Sequence, residues 1–227
     1  MSLTYSNHTF TIDQEFIHFA IATGVLSFGQ FQTKAGRLSP YFFNAGKFYD
    51  GDSLLKLAGF YAKKLIASDL AYDMLFGPAY KGIVLASATA IALVEQGLNI
   101  PFAFNRKEVK NHGEGGQLIG APLKGRVLII DDVISAGTSI NESVDIIRSA
   151  GAMPAGVLIA LDRMEKSGNA VEIGEFSAVE EVARRHQIPV LAVATLQNLL
   201  DYLEHTQDQR LHEYLPVVQA YRARYGS

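Results

Sequence analysis

The chain has 227 residues, which suits one α/β unit, or one with a small appendage. A formal net charge of −3 argues against a broad basic footprint for nucleic acid, and the absence of cysteine excludes disulfides and thiolate chemistry. A hydrophobic content of 48% can fill a core, yet no run reaches the roughly 18 apolar residues of a membrane span, and the first residues lack the basic-then-apolar order of a secretory signal. The expectation is a cytoplasmic protein in a reducing compartment, with neither nucleic acid nor membrane as a partner.

In chain order, residues 13–26 carry a helical apolar stripe (Phe16, Ile17, Phe19, Ala20, Leu26) that Thr11 or Asp13 can cap. Residues 28–49 alternate and are rich in turn formers, which predicts short strands. Residues 54–70 form an amphipathic helix with Lys63 and Lys64 on its wet side. From Asp73 strands and helices alternate: MLFGPAY, an Ala-rich helix over 82–97 ended by Gly97, PFAFNRK, a polar Gly-rich loop KNHGEGGQ, RVLIIDD, a helix over 139–151, PAGVLIALDR, a helix over 178–186, and PVLAVAT. This rhythm predicts a central, mostly parallel twisted sheet flanked by helices, with ligands at the carboxyl ends of the strands. Residues 196–225 read as helical, with Pro216 kinking the segment or starting a second helix.

The densest signal is Val127 to Ile140, VLIIDDVISAGTSI. Four apolar residues describe a strand buried on both faces. Two carboxylates, Asp131 and Asp132, follow, then the small residues Ser135, Ala136, Gly137, Thr138 and Ser139, then a helix start. Backbone N–H groups and the positive end of the helix dipole make such a loop an anion site. It is not a Walker A loop, since no Lys follows Gly137, and G-x-G-x-x-G is absent. Carboxylates repel bare phosphate, so the acidic pair should meet sugar hydroxyls or a hydrated Mg²⁺. For the acidic pair alone, a solvated turn or an N-cap is the competing explanation.

Three further stretches carry charge at strand ends. GPAYKG sets Tyr80 and Lys81 on a tight turn. NRKEVKNHGEGG gathers Arg106, Lys107, Lys110 and His112 ahead of three glycines, as in a mobile cationic lid. FQTKAGRLSPYFFNAG mixes Lys34 and Arg37 with Phe42 and Phe43, a combination suited to a planar anionic ring. Exposed lysines, a flexible loop and a hydrophobic hairpin are the bland alternatives for these.

The 127–140 segment resembles the phosphoribosyl-pyrophosphate (PRPP) signature of the type I phosphoribosyltransferases. The four segments together, within about Phe31 to Arg163, are similar to the orotate-using branch of that family. The resemblance implies a single phosphoribosyltransferase domain over 1–227, with a small N-terminal hood from about 1–50, a core from about 51–195 and a C-terminal helical segment from about 196–225. It implies transfer of the phosphoribosyl group from PRPP to orotate, giving orotidine 5′-monophosphate and pyrophosphate. PRPP would be bound by Lys34, Tyr80, Lys81, Arg106, Lys107, Lys110, His112 and the loop Asp131, Asp132, Val133, Ile134, Ser135, Ala136, Gly137, Thr138 and Ser139. Orotate would meet Phe42, Phe43, Ser135 and Arg163, whose planar fork suits a carboxylate. Arg106, Lys107, Lys110, His112, Asp131 and Asp132 would be catalytic, with Lys110 or His112 a proton source for pyrophosphate. Mg²⁺ is the implied cofactor, reached by Asp131 and Asp132 through water with most ligands from PRPP. A homodimer is implied, its catalytic loop shared across the interface. Ser135 stands where the family more often has Thr; the hydroxyl is kept. The length leaves no room for a decarboxylase domain. A purine or uracil phosphoribosyltransferase shares the PRPP signature, because that signature reports the sugar and not the base; the 34–43 hood segment and Arg163 favour an anionic pyrimidine. A PRPP- or nucleotide-sensing regulator on the same fold is the remaining alternative, disfavoured by the net charge and the intact cationic lid.

Overall fold

The computed structural model describes residues 11–110 and 116–227, with backbone only at 108–110 and 116–117. Helix α1 (Ile12–Ala22) is followed by a hairpin of β1 (Leu26–Gln32) and β2 (Leu38–Phe43), then α2 (Gly51–Ile66). The alternating part runs β3 (Met74–Gly77), α3 (Lys81–Glu95), β4 (Phe102–Lys110), β5 (Gly116–Gly120), β6 (Arg126–Ile130), α4 (Thr138–Ser149) and β7 (Met153–Asp162). A second hairpin, β8 (Lys166–Gly168) and β9 (Ile173–Ser177), precedes α5 (Ala178–His186) and β10 (Val190–Thr195). Helices α6 (Leu196–His205), α7 (Gln209–His212) and α8 (Leu215–Tyr225) follow, Pro216 sitting in the first turn of α8.

The six-stranded sheet has the order β10-β7-β6-β3-β4-β5 and is parallel except at β5. Its central strands are unbroken apolar runs because both faces are covered. Period-two alternation sorts them: Leu75, Leu128, Ile130, Leu158 and Ala160 pack with α1, α2, α3, α6, α8 and the first hairpin. Met74, Phe76, Val127, Ile129, Val157 and Ile159 pack with α4 and α5 on the other face.

Four local results differ from the sequence reading. Helix α1 stops at Ala22 and the chain turns through Gly24 at φ +68°, which leaves Leu26 to open β1. Asp50 caps α2 through Ser53 N at 2.9 Å, so that helix starts and ends about three to four residues earlier than its apolar stripe suggests. Strand β4 runs beyond Lys107, where the sequence reading ends it, to Lys110, which pairs antiparallel with Gly116 of β5. The β8–β9 hairpin carries no apolar run to announce it.

Candidate active site

The site forms where β3 and β6, adjacent in the sheet, end side by side. Close approach is built in: a Cβ on Gly77 would lie 2.1 Å from the Gly82 carbonyl oxygen, and one on Gly82 would lie 2.8 Å from that of Ile130. Only glycine at both places lets the start of α3 rest on the ends of the two strands. Lys81, the first residue of α3, thereby reaches Asp132, its Nζ 2.5 Å from Oδ2.

Asp131 and Asp132 are both buried at the end of β6. Asp131 Oδ1 accepts from the Asp132 N–H at 2.9 Å, and Oδ2 accepts from the Ser139 hydroxyl at 3.2 Å. Tyr61 of α2, fully buried, donates to the Asp131 carbonyl at 2.7 Å. Burial, with the neighbouring Asp132 charge, pushes the Asp131 carboxyl up to about 7. Beyond the pair, Gly137 takes φ +71° as the N-cap of α4, and Ser135, Ala136 and Thr138 are exposed around the helix start. Open N–H groups and hydroxyls beside two buried carboxylates can hold a phosphate on one side and sugar hydroxyls on the other.

The loop after β3 is tied to β4 by Asn105, whose buried side-chain carbonyl accepts from Ala79 N at 2.8 Å. Lys107, on β4, lies 5.0 Å from the ring centroid of exposed Tyr80. The structure thus joins Lys81 to Asp132, Asp131 to Ser139 and Lys107 to Tyr80. Arg106 is half-buried on the same strand. His112 lies outside the described residues, and Lys110 is described only as backbone in β4.

In the first hairpin, Phe42 and Phe43 face opposite ways, as neighbours on a strand must. Phe42 is exposed and stacks on Phe31 at 5.5 Å, while Phe43 is buried against Phe16 and Phe48. Lys34 is exposed in the hairpin turn and joins none of the other candidates by a hydrogen bond or ion pair among the described residues. Arg37 is no ligand group: it is 2% exposed and donates to the backbone carbonyls of Lys166, Ser167 and Asn169. Arg163, just past β7, reaches back to the hairpin and donates to the Ser39 hydroxyl at 3.3 Å.

Sequence reasoning missed Tyr61, Asn105 and Ser39. Asn105, in β4 just before the Arg106–Lys107 cations, had a signal in its neighbours. Tyr61 had none, being one more apolar position on α2.

A parallel sheet whose strand ends carry an acidic pair, a lysine and a phosphate-type helix start defines an enzyme that handles a phosphorylated sugar. The model for the phosphoribosyl transferase domain matches residues 44–173. The chain is 63% identical over 211 residues to the orotate phosphoribosyltransferase of Polynucleobacter necessarius (93% of this chain, 95% of that one). It is 62% identical over 213 residues to that of Ralstonia nicotianae, covering 94% of each. The crystal structure of the Francisella tularensis orotate phosphoribosyltransferase superposes with a TM-score of 0.83 at 40% identity, over 94% of this chain and 100% of that one. The chain belongs to the orotate phosphoribosyltransferase family within the phosphoribosyltransferases.

One consequence concerns protons. A carboxyl held at about 7 is largely protonated in slightly acidic buffer, whereas hydrogen-bond donation from sugar hydroxyls favours its ionised form. Binding PRPP near pH 6.5 is expected to release a proton from the acidic pair. Because the native value lies above the ordinary 3.8, the unliganded fold binds more protons than the unfolded chain between those pH values. Its stability therefore falls as pH rises through that window. Calorimetric titration in buffers of different ionisation enthalpy reads the release. Asp131→Asn should lose that part of it and flatten the stability slope, and an unchanged release in the variant contradicts the assignment.

Proposed function

We infer that this protein transfers the 5-phosphoribosyl group of PRPP to orotate, giving orotidine 5′-monophosphate and pyrophosphate in pyrimidine biosynthesis. The observation that carries this reading is the meeting of Lys81, Asp132, Asp131 and Ser139 at the ends of β3 and β6, in a chain about 62% identical to enzymes of that name. In this reading the 133–139 loop and the start of α4 hold the 5-phosphate, and Asp131 and Asp132 take the ribose hydroxyls. Tyr80, Lys81, Arg106 and Lys107 face the pyrophosphate, with Lys34, Lys110 and His112 assigned to PRPP on the resemblance alone. Arg163 meets the orotate carboxylate, and Ser135 and Phe42 border the ring. Phe43, its ring committed to the core, would contribute backbone.

Loss of pyrophosphate leaves a ribosyl centre with cationic character, so no protein nucleophile is needed. Catalysis comes from position and charge: cations at the departing pyrophosphate, carboxylates beneath the sugar. The two carboxylates are hard oxygen donors, and the described residues contain no cluster of three or more acidic or histidine side chains that could hold a metal ion. Such a set fits an ion that takes most of its ligands from substrate and water, as Mg²⁺ does. Bound there through Asp131 and Asp132, Mg²⁺ would neutralise charge on the leaving pyrophosphate.

The chain acts in this account as one phosphoribosyltransferase unit with a hood near residues 1–50, in the cytoplasm. No helix of the described residues is long and apolar enough to cross a membrane. A homodimer is supported by exposed apolar residues on α3 and just beyond it (Val84, Ile91, Val94, Leu98). If the β4 loop works in the neighbour's site, mixing inactive Asp132→Asn and Lys107→Ala protomers restores turnover; no recovery from a verified mixed dimer contradicts the shared loop.

Pyrophosphate release with PRPP, Mg²⁺ and one base at a time tests the substrate. Orotate should support release while uracil, adenine and hypoxanthine do not. Release with one of the other bases in place of orotate would overturn the assignment.

A further inference from the structure

Arg163 does not stand alone under the hood. Its Nη2 lies 2.5 Å from Glu165 Oε1 and donates to Ser39, and the guanidinium sits 5.1 Å over the Tyr41 ring. Both contacts use Nη2, while Nη1 and the buried Nε have no hydrogen-bond partner among the described residues, so the guanidinium is pinned at one corner with donors left for a ligand. Glu165 is 15% exposed, and its Oε2 lies 3.7 Å from Arg37 Nη1. Arg37 in turn spends its donors on the carbonyls of Lys166, Ser167 and Asn169 and stacks on Tyr225 of α8 at 4.6 Å. Gly226, directly after α8, pairs with the backbone of Glu165.

One carboxylate between two guanidiniums screens their mutual repulsion and leaves net positive charge for an anionic ligand. Without it, Arg163 would regain the rotamer freedom of a long side chain and lose the fixed plane that bidentate recognition needs. We propose that Glu165 is the positioning residue that aims Arg163 at the substrate carboxylate, and that Arg37 and Tyr225 hold Glu165 in place from α8. The proposal rests on the reading of Arg163 as the group that meets orotate.

The test measures KM for orotate and for PRPP separately in full-length variants. Glu165→Ala should raise the orotate KM about 10–100-fold, the range usual for loss of an orienting outer-shell partner, with the PRPP KM within about twofold of wild type. Glu165→Gln keeps an acceptor for Nη2 and should recover most of the loss. Tyr225→Ala should show the same split more weakly. Arg163→Lys separates the two layers. If it raises the orotate KM while neither Glu165→Ala nor Tyr225→Ala does, positioning by Glu165 is overturned and the reading of Arg163 stands. If Arg163→Lys leaves the orotate KM unchanged, both fall. An equal rise in the two KM values on losing Glu165 marks a merely structural role and also overturns the proposal. Should Glu165→Ala fail to fold, Tyr225→Ala decides: a raised orotate KM with the PRPP KM within about twofold of wild type supports the proposal, and an unchanged orotate KM overturns it.

Discussion

Gly82→Ala is expected to cost about 1–3 kcal/mol of stability and about 10²-fold in kcat/KM. The added methyl would lie 2.5 Å from Pro78 Cδ, 2.8 Å from the Ile130 carbonyl oxygen and 3.0 Å from the Gly77 carbonyl carbon. Two of those three atoms are backbone, so no side chain can swing aside to make room, and overpacking of this kind typically has the stated cost. The displaced parts are those proposed to carry the chemistry. Pro78 leads into Tyr80 and Lys81, and Ile130 leads into Asp131 and Asp132. A shift near 1 Å at such groups costs about 10²-fold in rate. Gly59→Ala on α2 is the control: its Cβ would meet nothing within 4 Å, and removing a mid-helix glycine should add about 0.5–1 kcal/mol with activity unchanged. Thermal melts and initial rates on both variants read the contrast; equal behaviour would mean the two strand ends do not depend on close approach.

Asp132→Asn should lower kcat/KM by about 10²–10³ while the fold holds, because the two roles of this carboxylate differ in weight. As the partner of Lys81 it contributes little to stability. The lysine side chain is 56% exposed, and an exposed partner leaves such a pair worth at most about 1 kcal/mol. In its proposed role, a charge beneath a ribosyl centre, it would act where removing one stabilising group typically has the larger effect. Lowered turnover with a melting temperature within a few degrees of wild type is the expected pair of readings. Unfolding at assay temperature would contradict the small structural weight, and unimpaired turnover would remove Asp132 from the site.

The centre of the candidate site was legible because its parts are contiguous. An apolar run, two acids, a small-residue loop and a helix start occupy Val127–Ile140, and each has a local physical cause. The parallel core was legible for the same reason, since β3, β6 and β7 are apolar runs buried on both faces. What stayed hidden is what the fold brings together from afar. Arg37, read as a cation for a planar ligand, is a buried tie to a hairpin about 130 residues on, and no local pattern announces a hydrogen bond at that separation. The β8–β9 hairpin is short and polar, tied to distant parts of the chain by Arg37 and by the Ser167–Glu181 hydrogen bond. Phe42 and Phe43 are different. The period of two that puts them on opposite faces was available in the sequence, and pairing them in one pocket set it aside. Helix α8, given no role at first, packs Tyr221 edge-on to Tyr41 and Tyr225 against Arg37.

We propose that the acidic pair, the 133–139 loop and Arg163 together serve Mg²⁺-dependent transfer from PRPP to orotate. The decisive measurement is the ultraviolet absorbance of orotate, followed with purified protein, PRPP and Mg²⁺ and with chelator added midway. The expected result is a steady loss of absorbance that halts on chelation and resumes with excess Mg²⁺. No loss of orotate under those conditions, with PRPP still bound by the protein, would contradict it.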